Sequence, residues 1–140
     1  MAVLSKTALG VEHGIVPEHP GGHRCRGQRA PGASSEPSCW PRDLPLYSYD
    51  YDPDYPPVAR SLKDAIAAVD AVLFVTPEYN RSIPGGLKNA IDWASRPYGK
   101  NSFARKPSGV IGTSPGKIGT AVAQQHLRSV LAFCNSPLMN

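Results

Sequence analysis

The sequence predicts an α/β fold in which helices pack on a parallel sheet. Two apolar runs, Ala71–Val75 and Ser108–Thr113, have the length of short strands, and the first is continuous, as in strands buried on both faces. Three other segments carry apolar residues at the helical period of 3.6. Helical and strand patterns alternate along the chain, which is typical of parallel strands joined by crossover helices.

Each element follows from its local pattern. The first helix has an apolar stripe that includes Leu62 and Ile66, and Pro57 suits its first turn. The second helix ends where Arg96 precedes a proline, because the residue before proline avoids the helical conformation. The predicted elements in chain order are helix Pro57–Val69, strand Ala71–Val75, helix Pro84–Ala94, strand Ser108–Thr113 and helix Thr120–Phe133.

Residues 1–42 differ from the rest of the chain in composition. They hold five of the 15 prolines, six of the 13 glycines and three of the four histidines, and their apolar residues follow no period. Such a segment offers no face that a core could bury. We therefore expect residues 1–42 to be a disordered extension or one read in an altered frame, and residues 43–140 to be a partial domain.

Composition excludes several classes of protein. No stretch approaches the roughly 20 apolar residues of a membrane span, and no apolar leader follows Met1. The net charge of +4 is spread along the chain rather than concentrated, which argues against a nucleic-acid partner. Three cysteines in 140 residues fit a reducing compartment. These features predict a cytoplasmic protein without a membrane or nucleic-acid partner.

Two loops carry the candidate binding residues. Thr76–Ser82 and Thr113–Gly119 follow the two predicted strands, and ligands of open parallel sheets bind beyond the carboxyl ends of strands. Backbone N–H groups in such turns can hold carbonyl oxygens or an anion. Tyr79 adds a flat apolar face.

Residues 76–97, TPEYNRSIPGGLKNAIDWASRP, resemble the signature of the NADPH-dependent FMN reductase family, which includes quinone and chromate reductases. The resemblance continues through KPSGVIGTSPGKIGTAVAQQHLRSVLAF and covers residues 43–140. It implies a three-layer flavodoxin-like sheet and a cytoplasmic oxidoreductase. Such an enzyme passes electrons from NADPH or NADH through FMN to a quinone, free flavin, azo compound or chromate. It also implies a homo-oligomer, either a dimer or a tetramer.

The resemblance also implies site residues. The first loop would lie along the flavin ring through its backbone amides, and one serine and one glycine of the second loop would approach the same ring. These cofactor-binding residues are Pro77, Glu78, Tyr79, Asn80, Arg81, Ser114 and Gly116. The flavin supplies the chemistry, so no catalytic side chain or metal is implied. Four further matching residues are assigned to helix packing and capping: Lys88, Asn89, Asp92 and Trp93.

The sequence departs from the family at both ends. Residues 1–42 do not contain the G-S-x-R-x-x-S-x-N loop that holds the FMN phosphate, and we expect the family's first strand and its C-terminal strand and helix to be missing. We therefore expect an incomplete fold and weak FMN binding. The alternative is an inactive flavodoxin-like fragment that binds no flavin and acts only as an interaction or non-catalytic subunit.

Three other motifs suggest different functions, but each lacks a feature that the function requires. GTSPGKIG lacks the fourth intervening residue of a Walker A loop and has Ile118 where a hydroxyl must reach Mg²⁺. Asn80-Arg81-Ser82 is a glycosylation sequon without a secretion signal. The cysteine and histidines of residues 13–25 lack the paired spacing of a zinc site.

Overall fold

The computed structural model describes the backbone of residues 8–12 and, with their side chains, residues 44–139. The elements are β1 (Ala8–Glu12), α1 (Pro57–Ala67), β2 (Ala71–Val75), α2 (Gly85–Ser95), β3 (Ser108–Ile111) and α3 (Ala121–Phe133), with a short 3₁₀ turn at Tyr49–Tyr51. The predicted α/β class is confirmed, and β2 has the predicted bounds. The helices end within two residues of their predicted bounds because their stripes and prolines mark those ends.

The three strands form one parallel sheet in the order β1-β2-β3. Glu12 lies opposite Val75, and Val75 lies opposite Ile111, so the three strands end in one row. This register places the loops after β2 and β3 side by side.

β1 corrects the expectation that the first strand is missing. Ala8–Glu12 pairs in parallel with Ala71–Val75 along all five residues. The sequence did not reveal this strand because it is short and follows no apolar period, whereas pairing uses backbone N–H and C=O groups that every strand residue carries. The rest of the atypical segment, residues 13–42, lies outside the described residues, as do residues 1–7.

The core lies on one face of the sheet. Val72 and Phe74 are each 1% exposed, whereas Leu73 between them is only half-buried and Ile111 is 52% exposed. Residues of all three helices join Val72 and Phe74 in a single cluster. The described helices therefore cover one face, although the continuous apolar run predicts burial on both. They supply one of the two helical layers of the predicted three-layer fold.

The segment before α1 is fastened to α2. Trp93 is fully buried, and its indole Nε1 donates to the Pro45 carbonyl at 2.7 Å. The Asn89 amide accepts from Tyr47 N–H and donates to Pro45 O, both at 2.9 Å. Tyr55 Oη donates to Trp93 O at 2.7 Å. Trp93 and Asn89 thus have the packing role that was expected for them.

Lysines from other elements hold the carboxyl ends of two helices. Lys63 of α1 donates to the carbonyls of Ala94 at 3.0 Å and Lys100 at 2.7 Å, and also to Arg96 O. Burial, with a smaller effect of the Lys100 charge, lowers the pKa of Lys63 to about 8. Lys106 donates to the carbonyls of Ala67, the last residue of α1, and of Val69. Both lysines satisfy carbonyls that a helix end leaves without partners.

The last described residues lie along the free side of β3. Ser108 N–H donates to Pro137 O at 2.8 Å, and Met139 N–H donates to Ser108 O at 2.9 Å. These bonds form a single parallel bridge between Ser108 and Leu138. The sheet thus continues beyond β3 by one bridge, although the sequence predicts no strand there.

Candidate functional site

The loops after β2 and β3 enclose a cleft of about 550 Å³. It contains five of the seven predicted cofactor-binding residues, and three further residues of the predicted second loop complete its lining. The lining residues are Glu78, Asn80, Arg81, Ser114, Gly116, Lys117, Ile118 and Gly119. Pro77 and Tyr79 belong to the same loop but do not line the cleft.

The first lip of the cleft is a tight two-residue turn. Tyr79 N–H donates to Ser82 O at 2.9 Å, and Ser82 N–H donates to Tyr79 O at 3.0 Å. Between them, Asn80 and Arg81 have φ values of 50° and 64°. Positive φ at both central positions is the pattern of a type I′ turn. Asn tolerates this conformation, but for a residue such as Arg it costs roughly 1–2 kcal/mol.

This turn presents two backbone donors. Within the described residues, the N–H groups of Asn80 and Arg81 donate to no other group, because the turn is closed by Tyr79 and Ser82 alone. Both residues are exposed and line the cleft. Successive backbone N–H groups in a turn can hold a carbonyl oxygen or an anion.

The Glu78 side chain does not present its carboxylate to solvent. It is only 6% exposed, and its Oε2 accepts from Ala123 N–H in the first turn of α3 at 3.0 Å. Its Oε1 lies 3.2 Å from Arg81 Nη1. The resemblance implies ligand contact through the backbone amides of this loop, and the structure shows that the Glu78 carboxylate is engaged by protein groups. Sequence reasoning could not find these contacts, because Ala123 lies 45 residues away.

A second contact joins the turn to α3. His126 Nδ1 lies 3.1 Å from Ser82 Oγ. Ala123 and His126 are three residues apart and therefore on one face of α3. The turn is thus held to this helix at both of its ends.

The second lip is the loop before α3. Ser114 Oγ accepts from Gly116 N–H at 3.3 Å, so this serine stabilises its own turn, a role that is compatible with ligand contact. Gly119 has φ 62° and donates to Gly116 O at 2.9 Å. The side chain of Lys117 is the basic group on this lip.

The closest approach in the site is at Gly112, to which the sequence gave no structural role. A Cβ at this position would lie 2.1 Å from Thr76 O and 2.8 Å from Thr120 Oγ1. Thr76 and Thr120 are buried and begin the loops and helix around the cleft. The signal for this residue was a glycine directly after an apolar strand, which indicates close approach of two backbones.

No metal-binding group is present in the part of the chain that the structure describes. Within it, no three His, Cys, Asp or Glu side chains are arranged to hold a metal ion. Cys134 is a buried free thiol whose pKa is raised by burial. The zinc candidates of residues 13–25 lie outside the described residues.

Comparisons with known proteins identify the relatives of this chain. The family model for NADPH-dependent FMN reductase matches residues 29–140. A 2-hydroxy-1,4-benzoquinone reductase from Burkholderia sp is 62% identical over 97 residues, which are 69% of this chain and 53% of that protein. A quinone reductase from Escherichia coli K12 is 45% identical over 100 residues, which are 70% of this chain and 53% of that protein.

This chain is also similar to a solved structure of an oxidoreductase. The flavoenzyme NAD(P)H:(acceptor) oxidoreductase FerB from Paracoccus denitrificans superposes with a TM-score of 0.70 at 53% identity. The superposition covers 73% of this chain and 56% of FerB. The chain therefore spans about half of the length of the relatives that it matches.

Proposed function

Because the chain belongs to the NADPH-dependent FMN reductase family, we propose that it forms part of an oxidoreductase that passes electrons from NADPH or NADH through FMN to a quinone. The observation that carries the proposal is the pair of N–H groups of Asn80 and Arg81, which donate to no group within the described residues and belong to two residues that line the cleft. Quinones are the acceptors named for the Burkholderia and Escherichia coli relatives. Free flavin, azo compounds and chromate remain less favoured acceptors.

The residues of the cleft fit the ring of FMN. The ring has carbonyl oxygens along one edge, and the Asn80 and Arg81 amides would donate to them. Tyr79, 43% exposed beside this turn, would shape the face that receives the nicotinamide or the acceptor. The bound flavin supplies electron transfer, and the protein orients it and supplies donors that favour negative charge on its edge.

The phosphate of FMN, unlike its ring, has no recognisable binding loop in this sequence. It would lie beyond β1, because Glu12 ends in the same row as Val75 and Ile111. The sequence after Glu12 does not contain the family's phosphate loop. A phosphate site normally supplies several charge-assisted hydrogen bonds, each contributing roughly 1.5–3 kcal/mol. We therefore propose that this chain binds FMN mainly through the ring.

Comparing FMN with riboflavin, which lacks the phosphate, tests this proposal directly. In fluorescence titrations of the chain, both should saturate the same site with dissociation constants within about threefold of each other. Tighter binding of FMN by about 100-fold or more, equivalent to about 2.7 kcal/mol, would reveal a phosphate site that the sequence does not show. Absence of binding by both flavins would refute the ring site and favour the non-catalytic fragment.

Assembly and location follow as further parts of the proposal. We propose a cytoplasmic homo-oligomer, a dimer or a tetramer. Among the described helices, none is long and apolar enough to cross a bilayer. Light scattering of the purified chain measures its oligomeric state, and a monomer at every concentration would refute that part.

A further inference from the structure

We propose that Glu78 is a positioning residue: its carboxylate ties the Tyr79–Ser82 turn to α3 and so holds the Asn80 and Arg81 amides toward the cleft. This inference rests on the proposed function, because the amides matter through the flavin they would bind. It assigns the Glu78 side chain a role in addition to the backbone contact with the ligand that the resemblance implies. The role follows from three observations.

The first observation is the start of α3. The Thr120 hydroxyl, which precedes the helix, accepts from the Gln124 side chain at 2.9 Å and does not cap a backbone N–H of the first turn. Glu78 Oε2 supplies the missing acceptor by binding Ala123 N–H at 3.0 Å. A carboxylate at this position also interacts favourably with the positive end of the helix dipole. The Glu78 side chain is therefore anchored at a fixed point on α3.

The second observation is the strained turn. Arg81 has a φ of 64°, which a non-glycine residue adopts only when its surroundings hold it there. Glu78 Oε1, at 3.2 Å from Arg81 Nη1, supplies such a contact across the turn. Because the other carboxylate oxygen is anchored on α3, this ion pair restrains the turn relative to the helix.

The third observation is the path of the chain around the cleft. The loop that carries Ser114 and Gly116 leads directly into α3, whereas the turn leads into α2. Glu78 and the Ser82–His126 contact join the first lip to the helix that follows the second. Glu78 consequently sets the position of one lip relative to the other.

The test uses Glu78→Gln and Glu78→Ala, with Asp92→Asn as the matched control. Glutamine keeps an oxygen that can accept from Ala123 N–H but loses the charge opposite Arg81, whereas alanine loses both contacts. Asp92 forms an exposed ion pair with Lys88 on α2, at 2.7 Å, and does not line the cleft. Asp92→Asn should change neither flavin affinity nor the turn.

Two quantities are measured. The first is hydrogen exchange of the Tyr79 and Ser82 amides in the flavin-free protein, since these amides close the turn. The second is the riboflavin dissociation constant. Glu78→Ala should accelerate this exchange at least tenfold and raise the dissociation constant at least tenfold, and Glu78→Gln should give smaller changes in the same direction. Unchanged exchange and affinity in both variants would overturn the proposal.

Arg81→Gly distinguishes positioning from general stability. Glycine adopts positive φ without strain and cannot pair with Glu78. In the Arg81→Gly background, Glu78→Gln should therefore have no further effect on exchange of the turn amides. An undiminished effect in that background would overturn the proposed link through Arg81.

The positioning role of Glu78 and the proposed function can be refuted independently of each other. If the wild-type chain binds no flavin, exchange of the turn amides still tests the positioning role. If the wild-type chain binds riboflavin, but the Glu78 variants change neither the dissociation constant nor the exchange of the turn amides, the positioning role is refuted. The ring site then stands.

Discussion

At the scale of single residues, the cleft depends on groups that the sequence marks only faintly. Glu78 stands within a recognisable string, yet its carboxylate serves α3 rather than the cleft. Ser114 bonds within its own turn. Sequence reasoning placed both residues correctly at the edge of the sheet because the loops follow strands. It could not assign their contacts, since these depend on which distant backbone atoms the fold brings close.

Gly112→Ala should destabilise the chain by about 1–3 kcal/mol or prevent its folding, because overpacking against backbone cannot be relieved by side-chain rotation. The added Cβ would lie 2.1 Å from Thr76 O, where β2 and β3 end together. Urea unfolding measures the change in the free energy of unfolding.

Gly85→Ala is the matched control for this substitution. Gly85 begins α2, and a Cβ there meets nothing within 4 Å. Because alanine favours helix over glycine by about 1 kcal/mol, this variant should be neutral or more stable. Equal unfolding free energies for Gly112→Ala and the wild-type chain would show that the close approach is not required.

At the scale of elements, aromatic residues fix the 44–56 segment on α2. The rings of Tyr47 and Tyr55 meet Trp93 edge to face, at centroid distances of 5.1 and 5.0 Å. Burial, helped by a hydrogen bond to Asp52, raises the pKa of Tyr47 to about 12, and burial also raises the pKa of Tyr55. Both hydroxyls therefore stay protonated in the native chain at a pH where exposed tyrosines ionise.

Stability should consequently fall as pH rises above about 10. Unfolded tyrosines lose protons near their ordinary pKa of 10.0, so above it the unfolded state binds fewer protons than the native state. Tyr55→Phe should cost about 0.5–1.5 kcal/mol at pH 7, through the lost bond to Trp93 O, and should make the alkaline decline shallower.

Urea unfolding at pH 7, 9 and 10.5 measures this dependence. Tyr98→Phe is the matched control, because the Tyr98 side chain is 91% exposed, and this variant should follow the wild-type curve. A decline in Tyr55→Phe as steep as in the wild-type chain would contradict the assignment.

The strength of the apolar pattern in each segment decided which elements could be predicted from the sequence. Ala71–Val75 was predictable because five apolar residues stand between a helix end and a polar turn. Ala8–Glu12 was not, because its pairing with β2 uses backbone groups and leaves little trace in side-chain pattern. The one-sided burial was also hidden, since Leu73 is as apolar as the buried Val72 and Phe74 beside it.

At the scale of the whole molecule, β1 covers an edge of the sheet that would otherwise present unpaired N–H and C=O groups of Ala71–Val75. Deleting residues 2–12 should therefore accelerate hydrogen exchange in β2 and promote association between chains. Exchange at the amides of β2 and light scattering measure the two effects.

Deletion of residues 2–7 alone is the control, because it leaves Ala8–Glu12 in place. It should preserve protection in β2. Equal exchange in β2 for both deletions and the full chain would show that pairing with Ala8–Glu12 does not protect this strand.

The two lysines that reach the helix ends have a consequence for cooperativity. A helix end normally frays independently of the rest of the protein, because its last carbonyls depend on nothing distant. Here the end of α2 is bonded to Lys63 in the middle of α1, and the end of α1 is bonded to Lys106 just before β3. Opening either end therefore breaks a bond to a separate element, so we expect both helix ends to fray less readily than ends that no other element contacts.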